Sequence, residues 1–335
     1  MQIIFTSDTH FDSRFTNENA FLRCGELISC FKEIVDYGKK LGCAAILLGG
    51  DLFDTPYPSE ETKAALKNII ASASEIKFIA ICGNHDPLFE TAFYSDLADN
   101  FYVFPDKITP YKLQDITIYG ISENSEFQKN DPFKDFKAEG KFITLSHGDI
   151  YPASLSETGA SLCLLGHIHK TSVTSLSSGA NAIYSGTPAG RGFDECGQKG
   201  FYVIDTDDFS YKFINTSAKI YKEYQIDASG IQSPSELIAL LENTNISQNE
   251  IARAVIVGAL KAPFTIDCEK LVGLVPKFLE IKDKTEIDID VMESISENTL
   301  EGEFVRLMVK ELEKTDDKEK VLLSMKEGIL ALRSK

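Results

Sequence analysis

Short apolar runs that end in glycine or polar residues are the feature that most limits the fold of this chain. Eight of them, rich in β-branched residues, have the length of single strands: QIIFTS, AAILLGG, KFIAICG, ITIYGIS, KFITLSH, SLCLLGH, NAIYSG and GFYVIDT. Apolar residues at helical spacing predict helices over residues 18–41 and 59–74, which indicates α/β packing with helices on the sheet faces. Fewer helices separate the later runs, so we expect two mixed sheets packed as a sandwich.

The pattern changes near residues 215–230 and indicates a second region. Ser233 precedes a capped helical segment, SELIALLEN, and a strand, ARAVIVGAL, and a helix, DCEKLVGLVPKFLEI, follow. From about Leu300 the spacing of apolar residues predicts two amphipathic helices, which either pack on the protein's own surface or dock a partner. We therefore predict a large domain over residues 1–215, a smaller α+β domain over 216–298, and C-terminal helices over 299–335.

Charge and hydropathy restrict the classes of function. The net charge of −17 argues against a broad basic surface for nucleic acid. It does not exclude a nucleic-acid enzyme, because divalent cations held by carboxylates supply local positive charge. No apolar run approaches the roughly 18 residues that a membrane span needs. The start of the chain lacks signal-peptide features, and the seven cysteines contain no CxxC pair, so we expect a cytoplasmic protein with no membrane contact.

All five histidines follow apolar runs, in short segments that also contain Gly, Asp or Asn, which a chance distribution over polar turns does not explain. The histidines lie in the segments SDTH, GNHD, SHGD and GHIH, and a fifth segment, GGDLFD, follows another apolar run with two aspartates. Strand ends of this kind meet along one edge of a sheet, where open α/β sheets bind ligands. The candidate functional residues are Asp8, His10, Asp51, Asp54, Asn84, His85, His147, His167 and His169.

The donor types in these segments favour a metal site. Carboxylates, imidazoles and one amide suit Mn²⁺, Fe²⁺ or Zn²⁺ better than soft metals. Because seven candidate ligands are too many for one ion, we predict two divalent metal ions, with Mn²⁺ as the first choice. Two ions about 3.5–4 Å apart clamp a phosphoryl group and activate a hydroxide. One carboxylate must lie between them, and Asp51, directly after Gly49 and Gly50, is the natural candidate.

In order and spacing, the five segments resemble the motifs of the calcineurin-like metallophosphoesterases over roughly residues 1–215. The resemblance implies that family's two-sheet sandwich flanked by helices. It also implies metal-ligand roles: Asp8, His10 and His169 at a first ion, Asn84, His147 and His167 at a second, and Asp51 between the two. By the same resemblance, His85 is a catalytic acid that binds no metal, and Asp54 orients His85 through a carboxylate–imidazole hydrogen bond. Asp86 is expected to be a turn residue.

A narrower resemblance concerns the substrate. The segment YSGTPAGRGFDECGQKGFYVID (184–205) is similar to one in SbcD-type and YhaO-type DNA repair exonucleases, and residues 218–295 are similar to their capping domain. This implies a phosphodiesterase that hydrolyses DNA, as exonuclease or endonuclease, by attack of a metal-activated hydroxide. It also implies an SbcC-like SMC-type ATPase as partner, docked on the C-terminal helices, and a homodimer.

Three alternatives stay open. A small phosphoester such as a cyclic nucleotide is the other candidate substrate, which the acidic composition favours. A non-catalytic scaffold on the same fold should have lost ligands, whereas every expected ligand is present here. Finally, Arg191 either contacts a phosphate or pairs with Asp194 or Glu195.

Overall fold

The computed structural model describes residues 1–13, 20–87, 92–95, 98–123, 131–260, 264, 266–287, 298–315 and 317–333. The chain divides into two compact units, Met1–Ile220 and Tyr221–Lys335. The three-part division expected from the sequence stays a prediction. The predicted first helix begins at Ala20 in the structure, and its first two positions, 18 and 19, lie outside the described residues.

The strands of the first unit, in chain order, are β1 (Gln2–Thr6), β2 (Ala45–Gly49), β3 (Lys77–Ile81), β4 (Phe101–Val103), β5 (Thr109–Leu113), β6 (Ile116–Gly120), β7 (Phe142–His147), β8 (Leu162–Gly166), β9 (Ser172–Ser175), β10 (Asn181–Tyr184), β11 (Gly200–Asp205) and β12 (Tyr211–Asn215). Its α-helices are α1 (Ala20–Leu41), α2 (Glu60–Ala71) and α3 (Pro152–Glu157), and a 3₁₀ turn spans Ala92–Ser95.

Within the described residues these strands form two six-stranded mixed sheets. The first has the order β12-β11-β1-β2-β3-β4. Strands β1 to β4 are parallel, and β11 pairs antiparallel with both β1 and β12. The second has the order β5-β6-β7-β8-β10-β9, with β6, β7, β8 and β10 parallel and the two edge strands antiparallel. The predicted sandwich of two mixed sheets flanked by helices is confirmed.

Alternating side chains of the strands build separate apolar layers. In β1, Ile4 packs on the helix side with Phe31 and Ile34 of α1, whereas Phe5 points into the layer between the two sheets. Leu164 of the second sheet belongs to the same middle layer. Because both faces of the central strands are covered, these strands are continuous apolar runs, which is why the sequence pattern reveals them.

Four strands of the first unit were not predicted, and all are short or exposed. All four residues of β9 are exposed, so no apolar alternation marks that strand. β5 contains Pro110, which is tolerated because β5 lies at the edge of its sheet. Such strands are defined by pairing with a neighbour more than by their own composition.

The two sheets approach closely where β2 and β8 end. A Cβ atom built on Gly166 would lie 1.9 Å from the carbonyl oxygen of Gly49, which is backbone and cannot rotate away. Glycine at 166 is therefore required by the spacing of the sheets.

We expect Gly166→Ala to destabilise the protein by about 3 kcal/mol or more, because overpacking against fixed backbone forces the sheets apart. Gly25→Ala is the matched control, because a Cβ there meets nothing within 4 Å and the residue lies in α1. The control is expected to change stability by less than about 1 kcal/mol, in the stabilising direction. Equal midpoints for the two variants in urea unfolding would contradict this account.

The second unit has an α+β arrangement. A three-stranded sheet has the order β13 (Ile220–Asp227), β14 (Glu250–Leu260), β15 (Phe278–Ile287). Two helices, α4 (Pro234–Glu242) and α5 (Cys268–Leu274), share a core with it. The helix predicted over DCEKLVGLVPKFLEI is wrong in its second half: α5 ends before Pro276, which cannot continue a helix, and β15 follows.

The C-terminal helices are α6 (Leu300–Leu312) and α7 (Lys318–Arg333). Val305 of α6 packs against Met325 and Ile329 of α7, so the two helices form a hairpin with an apolar core of its own. Leu307 and Leu322 remain exposed. Among the described residues, no helix combines the length and apolar character required to traverse a lipid bilayer.

Candidate metal centre

All nine predicted site residues lie in the segments that follow β1, β2, β3, β7 and β8, or at the end of these strands. β1 to β3 are parallel, so their carboxyl ends lie at the same edge of the first sheet. β7 of the second sheet ends at His147, whose Nδ1 lies 2.9 Å from the carbonyl oxygen of Gly49. The edges of both sheets therefore meet at one place.

The first cluster of donors consists of Asp8, His10 and His169. One donor atom from each lies within 4.8 Å of the others. Asp8 and His10 are fully buried, and Nε2 of His10 lies 3.0 Å from Nε2 of His169. This is the set that the family resemblance implies for the first ion.

Carboxylates on the far side of the two imidazoles influence which ring nitrogen has a free lone pair facing the cluster. Nδ1 of His169 lies 2.7 Å from Oε1 of Glu195, and Nδ1 of His10 lies 2.9 Å from Oδ1 of Asp54. The hydrogen bond to Glu195 draws the proton of His169 to Nδ1, and the same tautomer of His10, with Nδ1 towards Asp54, leaves two Nε2 lone pairs 3.0 Å apart. Two lone pairs at that distance repel each other, so the arrangement suits a cation between them.

The second cluster surrounds His147. Its Nε2 lies 3.2 Å from Oδ1 of Asn84 and 3.3 Å from Oδ2 of Asp51. Because Nδ1–H of His147 donates to the carbonyl oxygen of Gly49, Nε2 is the atom that faces these oxygens. An imidazole nitrogen surrounded by oxygen acceptors is again a site for a divalent cation.

Electrostatics support the same conclusion. Burial alone would lower the pKa of His147, but the adjacent Asp51 carboxylate outweighs it and raises that pKa to about 10. Burial would raise the pKa of Asp51, yet His147 holds it well below its usual range. Asp51 thus stays negatively charged beside a protonated His147, and a divalent cation that displaces this proton would take over its positive charge.

Asp51 lies between the two clusters. Its Oδ2 is 3.6 Å from Nε2 of His10 and 3.3 Å from Nε2 of His147. Its Oδ1 accepts a hydrogen bond from the backbone N–H of His85 at 2.9 Å, which fixes the carboxylate. This position suits the bridging role expected for Asp51.

His167 occupies a different position from the other candidates. Its exposed ring stacks edge-on to His147, with ring centroids 5.3 Å apart, and lines a cavity of about 240 Å³ with Asn84, Glu123 and Tyr151. Its backbone N–H donates to Oδ1 of Asp8 at 2.8 Å. The residue therefore touches the first cluster through its backbone and the second through its ring.

His85 stands beside both clusters with its ring exposed to 44%. The ring centroids of His85 and His10 are 5.0 Å apart. Oδ1 of Asp54, the residue expected to orient His85, is 3.6 Å from Nδ1 of His85 but only 2.9 Å from Nδ1 of His10. The backbone oxygen of Asp54 is 3.4 Å from Nδ1 of His85, so the Asp54 side chain contacts His10 most closely.

The backbone at the site is held in an unfavourable conformation. Asp8, His10, Asp51 and His167 have φ values of 54°, 46°, 50° and 99°, in the left-handed region that residues with a Cβ seldom adopt. Strain of this kind persists where the surrounding structure enforces it, and it concentrates at functional sites.

Arg191 and Glu195 are functional candidates that the motifs did not reveal. Arg191 pairs with Glu195 through Nη2 at 2.9 Å and with Asp54 through Nη1 at 3.0 Å. Among the alternatives considered for Arg191, the structure therefore shows the ion pair with Glu195. His169 and Arg191 lower the pKa of Glu195 to about 2, against the effect of its burial, so Glu195 remains charged.

Asp86 was expected to be a turn residue, and the structure gives it a larger role. The fully buried carboxylate accepts hydrogen bonds from the N–H groups of Leu52, Phe53 and Gly83 and from the hydroxyl of Tyr94. Burial and the nearby Asp51 raise its pKa to about 7. Asp86 thus joins the segments after β2 and β3 that carry Asp51 and Asn84.

We expect Asp86→Ala to cost about 3–5 kcal/mol, because several buried donors lose their acceptor at once. Tyr94→Phe removes one of these hydrogen bonds and is expected to cost about 1 kcal/mol. Thermal and chemical unfolding of the two variants measure the difference. A cost for Asp86→Ala no larger than that for Tyr94→Phe would refute the joining role.

The comparison with protein families agrees with this site and fold. Residues 1–171 match the family described as Calcineurin-like phosphoesterase. The chain belongs to that family and is a metallophosphoesterase. Its described residues include three overlapping groups of donors that could hold a metal ion: Asp8, His10 and His169; Asp8, Asp51 and His147; and His10, Asp51 and His85.

Individual relatives are more distant. The chain is 25% identical over 275 residues to the Uncharacterized metallophosphoesterase YhaO of Bacillus subtilis, covering 73% of this chain and 67% of that protein. It is 35% identical over 130 residues to the DNA double-strand break repair protein Mre11 of Sulfurisphaera tokodaii, covering 36% and 33%. A dimetal phosphatase from Danio rerio superposes with a TM-score of 0.44 at 12% identity, over 64% of this chain and 96% of that one.

Proposed function

We propose that this chain is a dinuclear metal-dependent phosphodiesterase that hydrolyses DNA, as the nuclease subunit of an SbcD-like repair complex. The observation that carries the dinuclear chemistry is Asp51, whose Oδ2 lies within 3.6 Å of an imidazole nitrogen from each donor cluster. DNA as substrate is supported by the similarity to Mre11, which is named as a DNA double-strand break repair protein.

The protein's own groups have separate tasks in this reaction. Asp8, His10 and His169 would hold one divalent cation and Asn84, His147 and His167 the other, with Asp51 shared. A cation pair, when bound, supplies charge neutralisation at the phosphoryl oxygens and a strong nucleophile at neutral pH. His85, beside the clusters but outside their ligand sets, donates a proton to the departing sugar oxygen. No covalent enzyme intermediate is required.

A small phosphoester, such as a cyclic nucleotide, is the second candidate substrate. Two observations favour it: the net charge of −17, and the cavity beside the second cluster, whose lining includes Glu123 and Asp149 but no lysine or arginine among the described residues. An acidic cavity of this kind repels the neighbouring phosphates of a DNA strand unless bound cations compensate for its negative charge.

Purified protein should be assayed with Mn²⁺ on end-labelled duplex DNA, single-stranded DNA, a cyclic nucleotide and bis-(p-nitrophenyl) phosphate. We expect cleavage of DNA and of the chromogenic diester. Cleavage of the cyclic nucleotide with both DNA substrates intact would replace the DNA assignment by the second candidate. Repeating the assay with Fe²⁺ and Zn²⁺ ranks the metals, and a maximal rate with Mn²⁺ is expected.

We also propose an SbcC-like SMC-type ATPase as partner, docked on the hairpin of α6 and α7, and a homodimer as the assembly. Exposed Leu307, Leu322 and Leu323 on these helices support an apolar contact there. Co-purification of the two proteins tests the first part, with Leu307→Glu expected to abolish binding while diesterase activity is retained. Light scattering tests the dimer.

A further inference from the structure

We propose that Arg191 and Glu195 are positioning residues that hold the imidazoles of the first donor cluster and so set the affinity for the first metal ion, not the second. This inference rests on the proposed dinuclear site and adds two residues to it. Neither residue belongs to the five motifs that predict the ligands.

Glu195 fixes the orientation of His169. Its Oε1 lies 2.7 Å from Nδ1 of His169, and the carboxylate is buried, so solvent does not compete for the contact. The same carboxylate accepts hydrogen bonds from Nη2 and the backbone N–H of Arg191, at 2.9 and 2.8 Å. Arg191, in the same loop, therefore fixes the Glu195 carboxylate, and Glu195 in turn orients His169, a proposed ligand in the loop after β8.

Arg191 extends the contact to His10. Its Nη1 donates to Oδ1 of Asp54 at 3.0 Å, and that oxygen lies 2.9 Å from Nδ1 of His10. One planar guanidinium thus connects the two carboxylates that stand behind the two imidazoles of the first cluster. Arginine suits this task because its donors have a fixed planar geometry.

The second cluster has no such support from this pair in the described part of the chain. Nδ1 of His147 donates to the carbonyl oxygen of Gly49, which is a backbone group of β2. The ligands of the two ions therefore depend on different supporting atoms. This difference makes a selective effect on one ion the expected signature of the positioning role.

The test is Mn²⁺ binding to the intact chain, measured by calorimetry and by the electron paramagnetic resonance signal of free Mn²⁺. We expect Glu195→Ala to lower the affinity for one of the two ions by about 10- to 100-fold, the usual cost of losing a carboxylate that is hydrogen-bonded to a metal-bound histidine. Glu195→Gln keeps an oxygen acceptor for Nδ1–H and is expected to lose less. Asp194→Ala, an exposed carboxylate in the same loop, is the matched control and should bind as the wild type does.

A double-mutant cycle identifies the affected ion. If Glu195 acts through His169, adding Glu195→Ala to His169→Ala should cause almost no further loss. When Glu195→Ala is added to Asn84→Ala, the full loss of affinity for the first ion should still occur, because Asn84 is a proposed ligand of the second ion. Circular dichroism and thermal unfolding verify that each variant is folded, and Glu195→Gln replaces the alanine variant if the latter is not.

Wild-type affinity for both ions in folded Glu195→Ala or Glu195→Gln protein would overturn the positioning role. Equal weakening of both ions would also overturn it, since that result indicates a general effect on the loop. If the wild type itself binds fewer than two Mn²⁺ ions, the dinuclear proposal fails, and this inference fails with it. That result is seen before any variant is made, so the two failures are distinguishable.

Discussion

Replacing Asp51 by asparagine is expected to remove tight binding of both metal ions and nearly all hydrolytic activity. The Oδ2 atom of Asp51 is close to His10 on one side and His147 on the other, so one substitution removes the carboxylate that both clusters share. Asparagine has almost the same shape and can still accept the hydrogen bond from the N–H of His85. The loss of affinity should exceed the roughly 10- to 100-fold cost of removing a supporting carboxylate.

Metal content after dialysis against Mn²⁺, and turnover of bis-(p-nitrophenyl) phosphate, measure this effect. Asp115→Asn, which changes an exposed carboxylate in the turn between β5 and β6, provides the control for lost charge. Retention of two ions by Asp51→Asn protein would exclude a shared carboxylate at this position. Retention of one ion would assign Asp51 to a single site.

Replacing His85 by alanine is expected to separate catalysis from metal binding. The ring of His85 is 44% exposed, and its contacts with Asp54 are long, at 3.4 Å to the backbone oxygen and 3.6 Å to Oδ1, so its removal should leave both clusters intact. Loss of a general acid typically costs about 10²- to 10⁴-fold in rate. That loss should appear with DNA, whose sugar alkoxide leaving group needs a proton.

The leaving group provides an internal control for the same variant. p-Nitrophenolate departs without a proton, so the chromogenic diester should lose much less rate than DNA. An equal loss of rate on both substrates, with two ions still bound, would contradict a proton-donor role for His85. Loss of metal from His85→Ala would instead make His85 a ligand.

The parts of the fold that are buried on both sides could be predicted from the sequence. Central parallel strands must be continuous apolar runs, and β1, β2, β3, β7 and β8 are all of this kind. The donors at their carboxyl ends were equally visible, because histidine is rare in this chain and occurs only there. β9 was missed because its exposed residues show no alternation, and its existence depends on pairing with β10.

The supporting groups of the site could not be predicted because they act through space. Glu195 is 26 residues beyond His169, in a loop without periodicity, and only folding brings its carboxylate to the imidazole. Asp86 lies one residue after His85, where a turn residue is the ordinary interpretation, and its hydrogen bonds come from segments far apart in the chain. The contact between Asp54 and His10 likewise depends on the distance between two loops.

The hydrogen bond from His147 to the Gly49 carbonyl has a consequence for genetics as well as for chemistry. Chelation of a metal ion therefore depends on the distance between the two sheets, since the backbone of the first sheet orients a ligand carried by the second. Interior substitutions that loosen the packing between the two sheets, for instance at Leu47 or Leu164, should impair chelation while the protein still unfolds cooperatively. A screen for inactive alleles of this chain should therefore recover packing changes remote from every ligand.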